Sequence, residues 1–162
     1  ALTTGQTSPA SPHGFVSKST PSGNLDEPIF PLALAIAAGV TFAARAYAGD
    51  MPKLTDLIVK ASEHKGLSVV EILQPCVTFN KVCTHQYYQD NTYQLGFGYD
   101  SKNKEKAILK ATEWGPKKIP LGIFYKSDRP SYESQIPQIS KGPLINQSVE
   151  RTDLDTLFKK YT

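Results

Sequence analysis

The strongest constraint on the fold is a helical repeat that leads directly into a continuous apolar stretch. The repeat places apolar side chains on one helix face, at Leu54, Leu57, Ile58 and Ala61. Gly66 is a stop signal for that helix, and residues 67–73 then form an apolar run around Glu71. Such a run after a helix is typical of a strand buried on both faces of a parallel sheet. The pair predicts an α/β fold.

Segments on the amino-terminal side extend this alternation. Residues 28–38 carry small and straight-chain side chains, which favour a helix that is apolar nearly all round, with Pro31 in its first turn. Residues 40–46 are rich in β-branched and aromatic side chains and are predicted to form a short strand. Asp50 is placed to cap the helix that follows. The order helix, strand, helix, strand is that of a parallel sheet.

The second half of the chain gives weaker signals. Residues 80–100 are aromatic, polar and glycine-bearing, and we interpret them as a loop. A helix is expected from about residue 100 to Gly115. Residues 119–125 are expected to form an edge strand, because Pro120 has no N–H to donate to a neighbouring strand.

The carboxyl-terminal part is predicted to be an extended arm. Residues 127–148 are punctuated by proline, and a short helix is expected after a cap at Thr152. The apolar face of that helix consists of Leu154, Leu157, Phe158 and Tyr161. An amphipathic helix at the end of such an arm is expected to dock on its own domain or on a neighbouring subunit.

Composition limits the class of protein. The 162 residues suffice for one core, and 40% hydrophobic and 20% charged residues are typical of a soluble globular protein. Arg45 interrupts the longest apolar stretch, so a membrane span is not expected, and no secretory pattern is present. Lysines between Lys102 and Lys118 lack the interleaved aromatics of a nucleic-acid site. Two cysteines favour a reducing, cytoplasmic setting.

Cys76 is the sharpest candidate for chemistry. It comes just after Pro75 and the predicted buried strand, and open α/β sheets place ligand-binding residues at the carboxyl ends of their strands. A thiolate there could ligate iron, but a lone cysteine is also commonly an inert core residue. Spacing alone leaves both interpretations open. Cys83, seven residues further on, is interpreted as structural.

Two strings carry a family resemblance. Residues 2–9, Leu-Thr-Thr-Gly-Gln-Thr-Ser-Pro, resemble the inner half of a thiamine diphosphate loop, and residues 73–80, Leu-Gln-Pro-Cys-Val-Thr-Phe-Asn, resemble a cluster-binding segment. Together they resemble the β subunit of 2-oxoacid:ferredoxin oxidoreductases, and the similarity runs in order to about Tyr132. The resemblance implies oxidative decarboxylation of a 2-oxo acid to acyl-coenzyme A, with ferredoxin as acceptor.

The resemblance also implies sites. Cys76 would supply one of the four ligands of a [4Fe–4S] cluster. The residues implied near thiamine diphosphate are Leu2, Thr3, Thr4, Gly5 and Gln6. No catalytic side chain is implied, because the cofactor's own carbanion attacks the 2-oxo group. The Gly-Asp-Gly string that holds Mg²⁺ in thiamine enzymes is not in this sequence, so the chain alone is expected to bind neither cofactor and to be inactive.

The domain organisation and the partners follow from the same resemblance. Residues 1–79 are expected to be the carboxyl-terminal half of a thiamine diphosphate-binding domain with a partial parallel sheet, and residues 80–162 a further extension with one helix, an edge strand and the docking arm. The implied partners are an α or fused α/γ subunit, ferredoxin, a 2-oxo acid and coenzyme A. Residues 1–28, which are rich in proline, serine and threonine, are either a working loop or a disordered tail. The alternative function is a noncatalytic α/β interaction domain.

Overall fold

The computed structural model describes residues 5–147 and 154–161, apart from the side chain of Leu157. The helices are α1 (Pro31–Ala37), α2 (Met51–Glu63), α3 (His85–Asn91), α4 (Lys104–Ala111) and α5 (Leu154–Tyr161). The strands are β1 (Phe42–Tyr47), β2 (Ser68–Leu73), β3 (Thr92–Gln94) and β4 (Ile119–Lys126). Short 3-10 turns occupy Glu133–Gln135, Pro137–Ile139 and Leu144–Asn146.

The four strands form one sheet in the order β2-β1-β4-β3. β1 pairs in parallel with β2, and β3 in parallel with β4, whereas β4 runs antiparallel to β1. The β1–β4 register shifts between Ala43 and Ala44, so that Phe124 has no direct partner on β1. The α/β class is confirmed, with a mixed sheet in place of a wholly parallel one.

The structure corrects the predicted positions of two strands. The prediction of an edge position for β4 is wrong, because β4 lies inside the sheet: its pairing with β1 ends at Gly122, and Pro120 faces only β3. Pro120 lies outside the part of β4 that pairs with β1, so its missing N–H costs no hydrogen bond to β1. The prediction that β2 is buried on both faces is also wrong, because β2 is an edge strand, half-buried along most of its length. It is β1 that is buried throughout.

Of the other local predictions, some are confirmed and others are wrong. Asp50 caps α2 as expected, accepting from the N–H of Lys53. α1 is apolar on all sides, as predicted, but it is not buried on all sides, because Leu34 is 61% exposed. Residues 80–100 are not wholly loop, since the Thr84 side chain caps α3 and the chain continues into β3. α4 begins at Lys104 behind an Asn103 cap, a few residues later than predicted.

Two apolar layers enclose β1. On one face, α1 and α4 pack against Ala43 and Phe124. On the other face, α2 contributes Leu54 and Leu57. Gly39 precedes this strand and Gly49 follows it. The predicted position of Cys76, at the carboxyl end of a strand that pairs in parallel, is also confirmed.

The chain divides into two compact units between Arg129 and Pro130. The second unit holds the 3-10 turns and α5, whose described side chains at Leu154, Phe158 and Tyr161 are exposed. The predicted cap Thr152 and the side chain of Leu157 lie outside the described residues. The domain boundary after residue 79 and the docking of the arm stay predictions. Among the described residues no helix is long and apolar enough to cross a membrane.

Candidate functional site

Cys76 lies in a tight loop just beyond the end of β2. Its side chain is half-buried. The pKa of the Cys76 thiol is held below its ordinary value, chiefly by the backbone N–H of Phe79 and also by those of the residues on either side, against the opposing effect of desolvation. Converging backbone N–H groups favour the thiolate, which is the form that binds metals.

Asn80 fixes the shape of this loop. Its backbone N–H donates to the carbonyl oxygen of Cys76 at 3.1 Å. Its side-chain Oδ1 accepts from the N–H groups of Val82 and Cys83, both at 2.9 Å. The loop therefore holds its conformation through its own hydrogen bonds, so the N–H groups around the sulfur do not depend on a bound metal.

The loop does not by itself provide the ligand set of a cluster. A [4Fe–4S] cluster takes four ligands, usually cysteine thiolates. Within residues 5–147 and 154–161, no group of three or more His, Cys, Asp or Glu side chains could hold a metal ion. Cys76 would fit one corner of a cluster only if further thiolates came from outside the described part of the chain.

Cys83 has a different environment. It packs against a buried cluster that includes Tyr47, Leu73 and Tyr88. Burial raises the pKa of the Tyr88 hydroxyl above its ordinary value, and the proximity of Cys83 adds to the shift. The hydroxyl of Tyr47 lies 2.7 Å from Nδ1 of His85. These contacts support the structural interpretation of Cys83, which stays a prediction.

The amino-terminal loop meets the cysteine loop at Gly5. Gly5 is buried with φ at +77°, and a methyl group built on it would lie 3.4 Å from Cβ and Cδ1 of Phe79. Gln6 is exposed. Of the other residues predicted near the cofactor, Leu2, Thr3 and Thr4 lie outside the described residues. The structure thus brings Gly5 and the loop of Cys76 together, and the roles assigned to both stay predictions.

Asn24 organises the rest of this loop. It is 7% exposed, and its Nδ2 donates to the carbonyl oxygens of Ser11 at 3.0 Å and of Asp26 at 3.1 Å. The N–H of Ile29 donates to the carbonyl of Pro9 at 2.9 Å. Residues 5–29 therefore form a hydrogen-bonded loop and not a loose tail. It borders a cleft of about 390 Å³ lined by Thr7, Ser8, Pro9, Asn24, Asp26, Glu27 and Ile29.

Three residues of these loops have structural roles that the sequence alone does not predict. The N–H of Phe79 lowers the pKa of the Cys76 thiol more than any other group does. Phe79 also supplies the side chain against which Gly5 packs. Asn80 and Asn24 tie the two loops internally. An asparagine beside a proline-marked turn is a usable signal, because its short amide side chain bonds backbone groups a few residues away.

Comparison with known proteins gives consistent matches. Residues 76–141 match the family that comprises the C-terminal region of the pyruvate ferredoxin oxidoreductase β subunit. The 2-oxoacid:ferredoxin oxidoreductase subunit beta of Saccharolobus solfataricus is 42% identical over 157 residues, covering 90% of this chain and 51% of that protein. Subunit beta of 2-oxoacid:ferredoxin oxidoreductase 1 of Aeropyrum pernix is 40% identical over 149 residues, covering 85% and 46%. The chain spans about half the length of these relatives.

A solved structure shares the fold. The 2-oxoglutarate:ferredoxin oxidoreductase from Magnetococcus marinus, solved with 2-oxoglutarate, coenzyme A and succinyl-CoA bound, contains a chain that superposes with a TM-score of 0.82. The two chains are 28% identical, and the match covers 97% of this chain and 53% of that one.

Proposed function

Since the chain belongs to the family of 2-oxoacid:ferredoxin oxidoreductase β subunits, we propose that it forms part of the subunit that holds thiamine diphosphate and an iron–sulfur cluster. The intact enzyme would decarboxylate a 2-oxo acid oxidatively and release acyl-coenzyme A, with ferredoxin as electron acceptor. The observation that carries this proposal is the loop of Cys76, in which backbone N–H groups favour a thiolate at the carboxyl end of β2.

Cys76 would be one ligand of a [4Fe–4S] cluster. Such a cluster, when bound, passes electrons singly, and N–H groups directed at its sulfur ligands adjust its potential. In this chain the N–H of Phe79 has that position, and Asn80 holds the turn that presents it. The other thiolates would come from the part of the family's subunit that this chain does not span.

The amino-terminal loop would line the thiamine diphosphate and substrate pocket. Leu2, Thr3, Thr4, Gly5 and Gln6 are the residues proposed for this role. Thiamine diphosphate, when bound, supplies the carbanion and the electron sink for decarboxylation. The packing of Gly5 on Phe79 would keep the pocket and the cluster loop in a fixed relation. The oxygens for Mg²⁺ would again come from outside this chain.

The partners are proposed on the same basis. An α or fused α/γ subunit, ferredoxin, a 2-oxo acid and coenzyme A are the partners that the family implies, and a cytoplasmic setting suits cluster chemistry. The Magnetococcus marinus enzyme was solved with 2-oxoglutarate and coenzyme A bound, which supports these two substrate classes here.

The test uses the complete enzyme that contains this chain, purified without oxygen. Cys76→Ser should remove or convert the reduced [4Fe–4S] signal in electron paramagnetic resonance, because it replaces a thiolate ligand. Cys83→Ser is the matched control and should leave the signal unchanged. A Cys76→Ser enzyme with an unaltered signal and iron content would refute the cluster role.

The chain by itself is expected to bind neither cofactor. One thiolate cannot hold a cubane, and the oxygens for Mg²⁺ are lacking. Calorimetric titration with thiamine diphosphate and Mg²⁺ should show no saturable heat. Saturable binding would show that the loop around Gly5 is a sufficient site and would contradict this expectation.

A further inference from the structure

One guanidinium nitrogen of Arg45 is buried without a hydrogen-bond partner in the described part of the chain. Arg45 is 1% exposed. Its Nε donates to the carboxylate of Glu71 and its Nη2 to the carbonyl of Ala111, whereas no described residue accepts from Nη1. A buried donor that lacks an acceptor carries the full cost of its desolvation. An acceptor beside Nη1 would remove that cost.

A cavity of about 110 Å³ lies at this guanidinium. Arg45 and Glu71 line it together with Trp114, Pro12 and residues 28–31, which lead into α1. Pro12 is exposed and Arg45 is buried, so the cavity opens to solvent at the amino-terminal loop and ends at the guanidinium. Nε and Nη2 already have partners, and Nη1 is therefore the nitrogen that is available to a ligand.

Water alone is a poor occupant of this cavity. One water molecule needs about 10–15 Å³ and two to four polar partners. Apart from Arg45 and Glu71, the described side chains that line the cavity are apolar or aromatic. The indole N–H of Trp114 is already bonded to the hydroxyl of Tyr87. Several waters would have to share two polar groups, so an organic molecule with one acceptor fits better.

The charges at the closed end favour an uncharged ligand. Nε of Arg45 and the Glu71 carboxylate lie 2.5 Å apart, so their charges largely cancel. An anion would lose its hydration and meet the carboxylate, and a cation would lose its hydration and meet the guanidinium. A carbonyl oxygen can accept from Nη1 without bringing a charge into the cavity.

The walls favour a flat apolar body. The rings of Pro12, Pro28 and Pro31 line the cavity, together with the ring of Trp114. The guanidinium carbon of Arg45 lies 5.6 Å from the centroid of the Trp114 ring, and aromatic rings pack well against such surfaces. A dry cavity of roughly 150 Å³ can hold benzene. One aromatic ring therefore fits here if its substituent extends along the cavity.

We propose that this cavity is a binding site for a small uncharged aromatic compound whose carbonyl oxygen accepts from Nη1 of Arg45. The ring packs between the prolines and Trp114, and the open side of the cavity is the entrance. None of the residues proposed for the thiamine diphosphate pocket or for the cluster lines this cavity. The inference is therefore independent of the proposed function.

The test uses three compounds of similar size: benzamide, benzoate and toluene. Saturation-transfer nuclear magnetic resonance measures their binding to this chain and to the complete enzyme that contains it. Benzamide should bind saturably to both. Toluene, which has no acceptor, and benzoate, which is charged, should bind about tenfold more weakly or less, because each leaves a buried group unsatisfied.

A matched pair of variants locates the site without disturbing the Arg45–Glu71 pair. Ala10 is exposed and lines the cavity, so Ala10→Phe places a ring in it and should weaken benzamide binding about tenfold or more. Ala38→Phe is the control, because Ala38 is also exposed but lies at the end of α1 and does not line the cavity. Its affinity for benzamide should be unchanged.

Several outcomes would overturn the proposal. Equal binding of toluene and benzamide would show that Nη1 takes no part, and tighter binding of benzoate would show an anion site. Binding that Ala10→Phe does not weaken would place the compound elsewhere. Binding by the chain but not by the complete enzyme would show that other residues fill the cavity there. The absence of saturable binding by the chain would leave water as the occupant.

Discussion

Arg45 lies on β1 and Cys76 lies in the loop that follows the neighbouring strand β2, and the two residues have opposite surroundings. Arg45, on β1, is 1% exposed. Its Nε donates to Glu71 at 2.5 Å and its Nη2 to the carbonyl of Ala111 at 2.9 Å. The guanidinium carbon lies 5.0 Å from the ring centroid of Phe124. Cys76 is half-buried, and in the described part of the chain its sulfur is directed only at backbone N–H groups.

The difference separates side chains that stabilise the chain from a thiol that the chain leaves available for a ligand. Arg45 ties β1 to β2 through Glu71 and to α4 through Ala111, with partners that all belong to this chain. Of the three guanidinium nitrogens, Nη1 has no hydrogen-bond partner among the described residues. The buried pair sets the position of β2, and with it the position of Cys76. The interior is closed, whereas the loop presents a thiol that would need three further ligands to hold the proposed cluster.

The largest effect is expected at Arg45. Arg45→Met should lower the free energy of unfolding by about 3–5 kcal/mol, because it leaves the Glu71 carboxylate without its buried partner. Urea denaturation followed by circular dichroism measures the change. Arg129→Met is the matched control, since Arg129 is exposed and donates to the carbonyl of Gly39.

The double variant Arg45→Met, Glu71→Leu separates a lost pair from lost packing. It should recover much of the stability, because a buried ion pair can often be exchanged for apolar side chains of similar volume. If Arg45→Met were as stable as the Arg129→Met control, the interior would not depend on the Arg45–Glu71 pair. Arg45 and the loop of Cys76 would then no longer differ in their contribution to stability.

The turn before β2 should give the next largest effect. Gly66 has φ at +140°, and a methyl group there would overlap the hydroxyl of Thr41, which donates to the carbonyl of Leu67 at 3.1 Å. Gly66→Ala should cost about 1–3 kcal/mol through backbone strain and this collision. Gly96→Ala, where nothing lies within 4 Å, is the control for thermal melts. If Gly66→Ala and Gly96→Ala melted at the same temperature, the turn before β2 would be as loosely packed as the loop that follows the strand.

The sequence predicts the closed part of the molecule better than its edges. The period of α2, the Asp50 cap and the position of Cys76 follow from local rules, and these predictions are confirmed. Strand order is not local. Pro120 suggests an edge, but β3, hidden in a segment with the composition of a loop, covers that side of β4. β2 has the pattern of an inner strand and lies at an edge of the described sheet.

The candidate site shows the same limit. Cys76 and Gly5 are 71 positions apart in the numbering, and in the sequence only the family resemblance connects them. Their meeting through Phe79 is a tertiary contact that no spacing rule predicts. The effect of the N–H groups on the thiol depends on backbone direction in a short turn, which composition does not encode.

The closed interior also predicts a dependence on pH. Tyr99 donates to the carbonyl of Phe124 at 2.9 Å, and burial raises the pKa of its hydroxyl to about 12. Because this value lies above that of an unfolded tyrosine, near 10, the contribution of Tyr99 to stability is fully present below pH 10. It is lost as the pH rises from 10 through 12. The stability difference between the unmodified chain and Tyr99→Phe should therefore shrink over that range in urea titrations. A difference that is constant with pH would contradict the burial of this hydroxyl.

The smallest effect on stability is expected at the open loop. Cys76→Ser removes a half-buried thiol whose described partners are backbone N–H groups, and the turn is held separately by Asn80, so urea unfolding of the chain should show no resolvable change. The chemistry of the thiol should nevertheless be distinctive. In a Cys83→Ser variant only Cys76 can react, and its alkylation by iodoacetamide should reach half of its maximal rate at a lower pH than that of an unstructured cysteine, because the N–H of Phe79 favours the thiolate. Unfolding in urea should return the profile to the ordinary one. If the alkylation profiles of the folded and unfolded chain coincided, the loop would not prepare a metal ligand. A large loss of stability in Cys76→Ser would instead place Cys76 with Arg45 among the residues that stabilise the chain.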